Sequence, residues 1–188
     1  MVDINFKWTA LFSHTGREIY NISKQLGRYP DKIITNNTPS GDLYSKIKSR
    51  DITYTKSRPE PEDYVALLEP DHIITLHGWM RIVPEVICRE YNMYNLHPGL
   101  ITMYPELKGK DPQKRVATEL NENKYNKIGC VIHRVTPGVD EGEILAENST
   151  SNVYSGESMI TEKLHELALA LWVDFFDYNI NNPSNDIL

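Results

Sequence analysis

The chain has 188 residues, 40% of them hydrophobic and 24% charged, with a formal net charge of −6. That is enough for one sizeable core, and the balance is ordinary for a soluble globular protein. The acidic excess argues against a broad nucleic-acid surface, which needs clustered Lys and Arg, but leaves room for a local basic pocket around a small phosphate.

Trp8 to Ser13 reads as a buried strand. Thr15-Gly16-Arg17-Glu18 then turns into a helix with Ile19, Ile22 and Leu26 on one face. Lys32 to Thr35 is a second strand, closed by the turn residues Asn36, Asn37, Pro39 and Gly41. A short helix over 42–49 precedes a third strand, Ile52 to Thr55. Pro59 to Glu69 opens with proline and acids, as a first helical turn should, with Val65, Leu67 and Leu68 as its apolar face. His72 to Leu76 is β-branched and bounded by Pro70-Asp71 and Gly78, which makes it the clearest strand of the chain. A short helix near Glu85 to Arg89 leads to a strand over Met93 to Leu96. Pro112 to Asn123 reads as helix, Lys127 to Val135 as an alternating strand, and Glu143 to Glu147 as another. Ser149 to Gly156 is the one linker-like piece. Glu157 to Tyr178 is the longest helix, with Ile160, Leu164, Leu167, Leu171, Trp172 and Phe175 at helical spacing. Its acids, Glu157, Glu162, Glu166, Asp174 and Asp177, form a solvated face, and the tail after it is expected to fray. Strands alternating with helices predict a parallel sheet covered on both faces, with ligands at the carboxyl ends of the strands.

Cys88 and Cys130 stand far apart in no CxxC pattern and read as buried free thiols. The first residues lack the apolar core of a signal peptide, and the longest apolar run, Leu167 to Val173, is too short to span a bilayer. A cytoplasmic protein without membrane contact is expected. No histidine has metal-ligand spacing, so no metal is expected, and His72, His77, His133 and His165 read as structural or surface residues. There is no GxGxxG, no GxSxG elbow and no persuasive Cys–His pair.

Two short runs carry chemistry. Asn95-Leu96-His97-Pro98-Gly99 sets an amide and an imidazole beside a Pro-Gly turn; Gly138-Val139-Asp140-Glu141-Gly142 sets a carboxylate between glycines. An amide and an imidazole can polarise a carbonyl oxygen, and a carboxylate can orient the imidazole or take a proton. The plain alternative is a strand-end turn with a capping Asn and an exposed His. The loop Ser13-His14-Thr15-Gly16-Arg17-Glu18 is either a plain turn or an anion cradle: Arg17 favours an anion and Glu18 opposes one. Lys108, Lys110, Lys114 and Arg115 form a small basic cluster after His97, read by default as a solvated helix start.

Taken together with the run Leu76-His77-Gly78-Trp79-Met80-Arg81-Ile82 and with the Gly129–Val135 strand that carries His133, these motifs resemble the formyltransferase family that uses 10-formyltetrahydrofolate. The resemblance extends over residues 8 to 175. It implies a single Rossmann-like α/β domain over 1–188, with a mostly parallel sheet and helices on both faces. It implies that Asn95 and His97 stabilise an oxyanion, while Asp140 holds His97 and a water and helps move the proton of an amine. Leu76, Gly78, Met80, Arg81, Ile82, Val83, Val139 and Gly142 would hold the folate. Ser13, Thr15, Gly16, Arg17, Gly99 and Lys110 would hold the acceptor. The expected reaction is formyl transfer to the amine of a small phosphorylated acceptor in one-carbon metabolism. Glycinamide ribonucleotide, and with it purine biosynthesis, is the first candidate; an amino-sugar nucleotide or other modified nucleotide is the alternative. An inactive folate-binding protein and a formyl-folate hydrolase are further alternatives. A homodimer is compatible with this reading. The chain departs from the ribonucleotide branch at two places. Its 13–18 loop is not Gly-rich, and Leu107 to Gln113 replaces a His-rich segment and sits closer to the sugar and tRNA branches.

Overall fold

The computed structural model describes residues 6–38, 46–47, 52–119, 124–153 and 156–181. Its strands are β1 (Trp8–Phe12), β2 (Lys32–Thr35), β3 (Ile52–Tyr54), β4 (Ile73–His77), β5 (Met93–His97), β6 (Lys127–Arg134) and β7 (Ile144–Ser151). Its helices are α1 (Arg17–Leu26), α2 (Pro61–Leu67), α3 (Glu85–Glu90), α4 (Pro112–Thr118) and α5 (Glu157–Asn181). The sheet order is β3-β2-β1-β4-β5-β6-β7. The first five of these strands run parallel, and β6 and β7 are antiparallel to their neighbours.

The mostly parallel sheet expected from the sequence is what forms, with antiparallel pairing confined to β5–β6 and β6–β7. Between β6 and β7 lies only a short loop with no helix, and a short connection can only return the chain antiparallel. The change of direction matters for the site, because it sets β6 against β5 with His133 opposite Asn95 and Val131 opposite His97.

Strand β1 alternates its side chains between two cores. Trp8, Ala10 and Phe12 join α1 and α5 on one face; Leu11 joins α2 and α3 on the other. Both faces are buried, so the parallel strands read as nearly continuous apolar runs. Helix α5 contributes Ile160, Leu164, Leu167, Leu171, Trp172 and Phe175 to the first core, as its periodicity predicts, and its five acids are exposed. The expected face of α2 is corrected at Val65 alone, since Leu68 is buried and Leu67 packs against the second core. Tyr64 and Leu68 are buried, whereas Val65 is 55% exposed. One residue along a helix turns the side chain by about 100°, and the i, i+4 pair Tyr64/Leu68 takes the core.

Several boundaries differ from the sequence reading. The strand expected to stop at Glu147 runs on to Ser151, shortening the linker-like piece, and α5 reaches Asn181. Helix α4 ends at Thr118, and residues 120–123 lie outside the described set, as do most of the helix expected over 42–49 and the tail after residue 181. Cys130 is buried as expected, and burial pushes its thiol up to about 12. Cys88 is only half-buried, on the short helix α3. Among the described residues, no helix is long and apolar enough to cross a membrane.

The strand order reverses between β1 and β4, with Phe12 in register with His77. The loops after these strands meet in the crevice that such a reversal opens. There the Met80 N–H donates to Ser13 Oγ at 3.0 Å, and a Cβ placed on Gly78 would lie 3.8 Å from the His14 ring.

Candidate active site

Strand β5 supplies the first two groups. Side chains two residues apart on a strand share a face, so Asn95 and His97 both reach the cleft at the carboxyl end of the sheet. The Pro98-Gly99 turn follows at once. A Cβ on Gly99 would come within 2.7 Å of His97 Nε2, so glycine at this position is what leaves room for the ring.

The carboxylate arrives from the β6–β7 loop. Asp140 has φ 53°, a left-handed conformation that Asp adopts more readily than most residues. Its Oδ2 lies 3.0 Å from His97 Nδ1 and accepts the Gly109 N–H at 2.9 Å; its Oδ1 lies 3.4 Å from His133 Nε2. The other His97 nitrogen, Nε2, donates to the Leu107 carbonyl at 2.8 Å. Two acceptors thus flank one ring, and only the imidazolium donates to both. Burial pushes the Asp140 carboxyl up, but the imidazoles of His133 and His97 beside it, the charge on His97 and the Gly109 N–H outweigh it. The group is held well below the usual carboxylate range.

Around this cluster opens a cleft of about 480 Å³, within the usual size for small-molecule sites. Its walls include Leu76, Gly78, Met80, Arg81, Ile82, Val83 and Val139 from the expected folate set, Lys110 from the acceptor set, and all of Asn95, His97 and Asp140. Met80, Ile82 and Val139 are 51%, 68% and 53% exposed on its rim. Apolar side chains gathered around an open polar cleft mark a ligand surface.

Other expected contacts lie elsewhere. Among the described residues that line the cleft, Gly142, Gly99, Ser13, Thr15, Gly16 and Arg17 are absent. Gly99 instead makes room for His97. Thr15 Oγ1 accepts the Arg17 N–H, and a Cβ on Gly16 would press on Ile47 at 2.9 Å. Gly142 packs against backbone: a Cβ there would lie 1.7 Å from the Arg134 carbonyl oxygen. We therefore expect Gly142→Ala to destabilise the fold by about 1–3 kcal/mol or more in urea titrations. Gly138→Ala, whose clash is with the movable tip of Glu141, should cost far less.

Two features escape the sequence reading. His133, read as a structural or surface residue and given no role although its strand belongs to the resemblance, lines the cleft and touches two members of the trio. Its register opposite Asn95 is the signal, and register between distant strands is invisible in sequence. The second is a buried chain of hydrogen bonds beneath the 13–18 loop. The Trp8 indole donates to Thr75 Oγ1 at 2.7 Å, and Thr75 Oγ1 lies 2.7 Å from His77 Nε2. His77 Nδ1 in turn lies 2.6 Å from Glu18 Oε2. Glu18 is thereby anchored at the first turn of α1.

The sheet thus gathers an amide, an imidazole and a carboxylate on one cleft at the carboxyl end of β5. The chain matches the family model "Formyl transferase" over residues 29–173. The chain belongs to that family. It is 35% identical over 80 residues to a phosphoribosylglycinamide formyltransferase of Dictyostelium discoideum, a match covering 39% of this chain and 37% of that protein. It is 32% identical over 97 residues to the trifunctional purine biosynthetic protein adenosine-3 of Drosophila melanogaster, covering 50% of this chain and 7% of that protein. The chain thus matches well under half the length of these curated relatives. In fold it is similar to the crystal structure of phosphoribosylglycinamide formyltransferase from Anaplasma phagocytophilum. The TM-score is 0.77 at 19% identity, covering 94% of this chain and 88% of that one.

Proposed function

We propose that this chain transfers a formyl group from 10-formyltetrahydrofolate to the amine of a small acceptor, with glycinamide ribonucleotide the first candidate. The observation that carries the reading is the convergence of Asn95, His97 and Asp140 on one apolar-rimmed cleft, in a chain of the formyl transferase family. A neutral amine attacks the formyl carbon, and the carbonyl oxygen becomes an oxyanion. The Asn95 amide and the cationic face of His97 stabilise that charge. The proton leaving the attacking nitrogen passes to the Asp140 carboxylate, directly or through a water, and from there to the folate nitrogen as the oxyanion collapses back to a carbonyl and the bond from the formyl carbon to that nitrogen breaks. His97 enters this step already held between Asp140 and Leu107. Contact with the oxyanion then requires exchange of the Leu107 bond for the substrate.

The cleft suits a reduced folate. Leu76, Val83, Val135 and Val139 offer apolar walls, and the main chain beyond Met80 offers an edge for a polar ring. Calorimetry with a 10-formyl folate analogue should give saturable binding in the micromolar range; no heat up to millimolar ligand would overturn the assignment.

A second acceptor is favoured by one observation. Glu18, tied to His77, sets a fixed carboxylate at the first turn of α1, where a phosphate near the 13–18 loop would meet it. Like charges at such range repel, so an acceptor whose phosphates are seated away from the 13–18 loop, such as an amino-sugar nucleotide bound elsewhere along the cleft, becomes the competing acceptor. Incubation with 10-formyltetrahydrofolate and each amine in turn decides between them: tetrahydrofolate release with glycinamide ribonucleotide supports the first reading, and release only with the amino-sugar nucleotide supports the second. Formate release without any amine identifies a hydrolase, and no turnover leaves a folate-binding protein.

A further inference from the structure

We infer that His133 is a positioning residue that holds the donating end of the Asn95 amide toward the reacting oxygen. The inference rests on the formyl-transfer reading for its kinetic consequences, but its structural content stands on hydrogen-bond direction alone. His133 is 3% exposed and sits directly opposite Asn95 across the antiparallel β5–β6 pair. A register shift between Ile132 and His133 marks an irregularity in the β6–β7 pairing at this point, the kind of bulge that re-aims a side chain.

The ring's two nitrogens have distinct partners. Nδ1 lies 2.9 Å from the carbonyl oxygen of Arg134, which can only accept, so Nδ1 carries a hydrogen. Nε2 lies 3.2 Å from Asn95 Nδ2. A ring protonated at Nδ1 alone presents a lone pair at Nε2, and that lone pair accepts one Asn95 N–H. The opposite orientation of the amide would set its oxygen against the same lone pair and is repelled. One N–H of Asn95 is thus spent on His133, and the second remains for an oxygen in the cleft that Asn95 lines. Asp140 Oδ1, at 3.4 Å from Nε2, is the charged group facing this ring. A hydrogen on Nε2 would donate to that oxygen and leave no lone pair for the Asn95 N–H. The ring with its hydrogen on Nδ1 and a free lone pair at Nε2 therefore corresponds to the competent arrangement of the oxyanion donor.

A double-mutant cycle tests this. His133→Ala should lower kcat about tenfold, the worth of one hydrogen bond expressed as a rate, with the KM for the folate unchanged. In the Asn95→Ala background the same substitution should cost less than about twofold, because its target is gone. His133→Gln, whose amide oxygen can accept the same N–H, should recover most of the loss. An equal loss in both backgrounds would overturn the proposal and assign His133 to Asp140 instead. The side-chain amide resonances of Asn95, identified by their disappearance in Asn95→Asp, give a readout independent of turnover. They should move in His133→Ala and return toward the wild-type position in His133→Gln. Unchanged resonances overturn the positioning role even if the protein turns over no formyl donor. Absence of turnover with moved resonances overturns the formyl-transfer reading and leaves this one standing. Should His133→Ala fail to fold, the comparison of wild type with His133→Gln decides: a kcat loss of more than about tenfold together with a displaced Asn95 signal counts against it.

Discussion

Asp140→Asn will lower turnover about 10²–10⁴-fold while the fold and folate binding persist, if the carboxylate takes part in general acid–base transfer. The substitution keeps the shape, and Asn accepts the left-handed backbone that Asp140 occupies. It removes the charge that faces His97 and His133 and turns one of the two accepting oxygens, which face His97, His133 and the Gly109 N–H, into a donating NH2. Turnover of the wild type should rise with pH as the acceptor amine loses its proton. The variant should follow a different profile, since its imidazole no longer has a carboxylate partner. If Asp140 serves only to cap the turn, Asn does so nearly as well, and superimposable pH–rate profiles would establish that. A second consequence concerns stability. The folded carboxyl sits below its ordinary 3.8, so its contribution is complete above that pH and is lost as the pH falls below it. Urea titrations between neutral pH and about pH 3 should show a steeper acid loss for the wild type than for Asp140→Asn; parallel curves would contradict the arrangement of charges described.

Asn95→Ala and His97→Ala should each reduce turnover roughly 10²–10³-fold, the usual cost of one donor to a developing oxyanion, with folate affinity held within a few-fold. The two residues share one face of β5 and line one cleft, so their losses belong to the same charge and should combine less than multiplicatively. The variants differ in stability. His97→Ala also leaves the buried Leu107 carbonyl without a donor and strips one from Asp140, which keeps the Gly109 N–H, and an unpaired buried acceptor costs about 1–3 kcal/mol. Asn95, only partly buried, should cost less. Single-turnover assays with calorimetry separate chemistry from binding, and near-wild-type turnover in either variant would remove that residue from the site.

The local pattern of the chain was sufficient for much of this. Runs such as Ile73–His77 and the apolar spacing from Ile160 to Phe175 identify their elements because burial of one face leaves a period in the sequence. The Asn95–Gly99 and Gly138–Gly142 runs were legible for a related reason: chemistry done at strand ends needs polar side chains beside residues that turn sharply. Long-range pairing leaves no such trace. Nothing local says that β6 runs antiparallel to β5, and that pairing alone puts His133 against Asn95. Nothing local couples Glu18 to His77, 59 residues apart, or reveals that the Gly142 backbone leaves no space before the Arg134 carbonyl. Periodicity records which face is buried, whereas partner, register and the occupant of each hydrogen bond are decided only when distant segments meet in space.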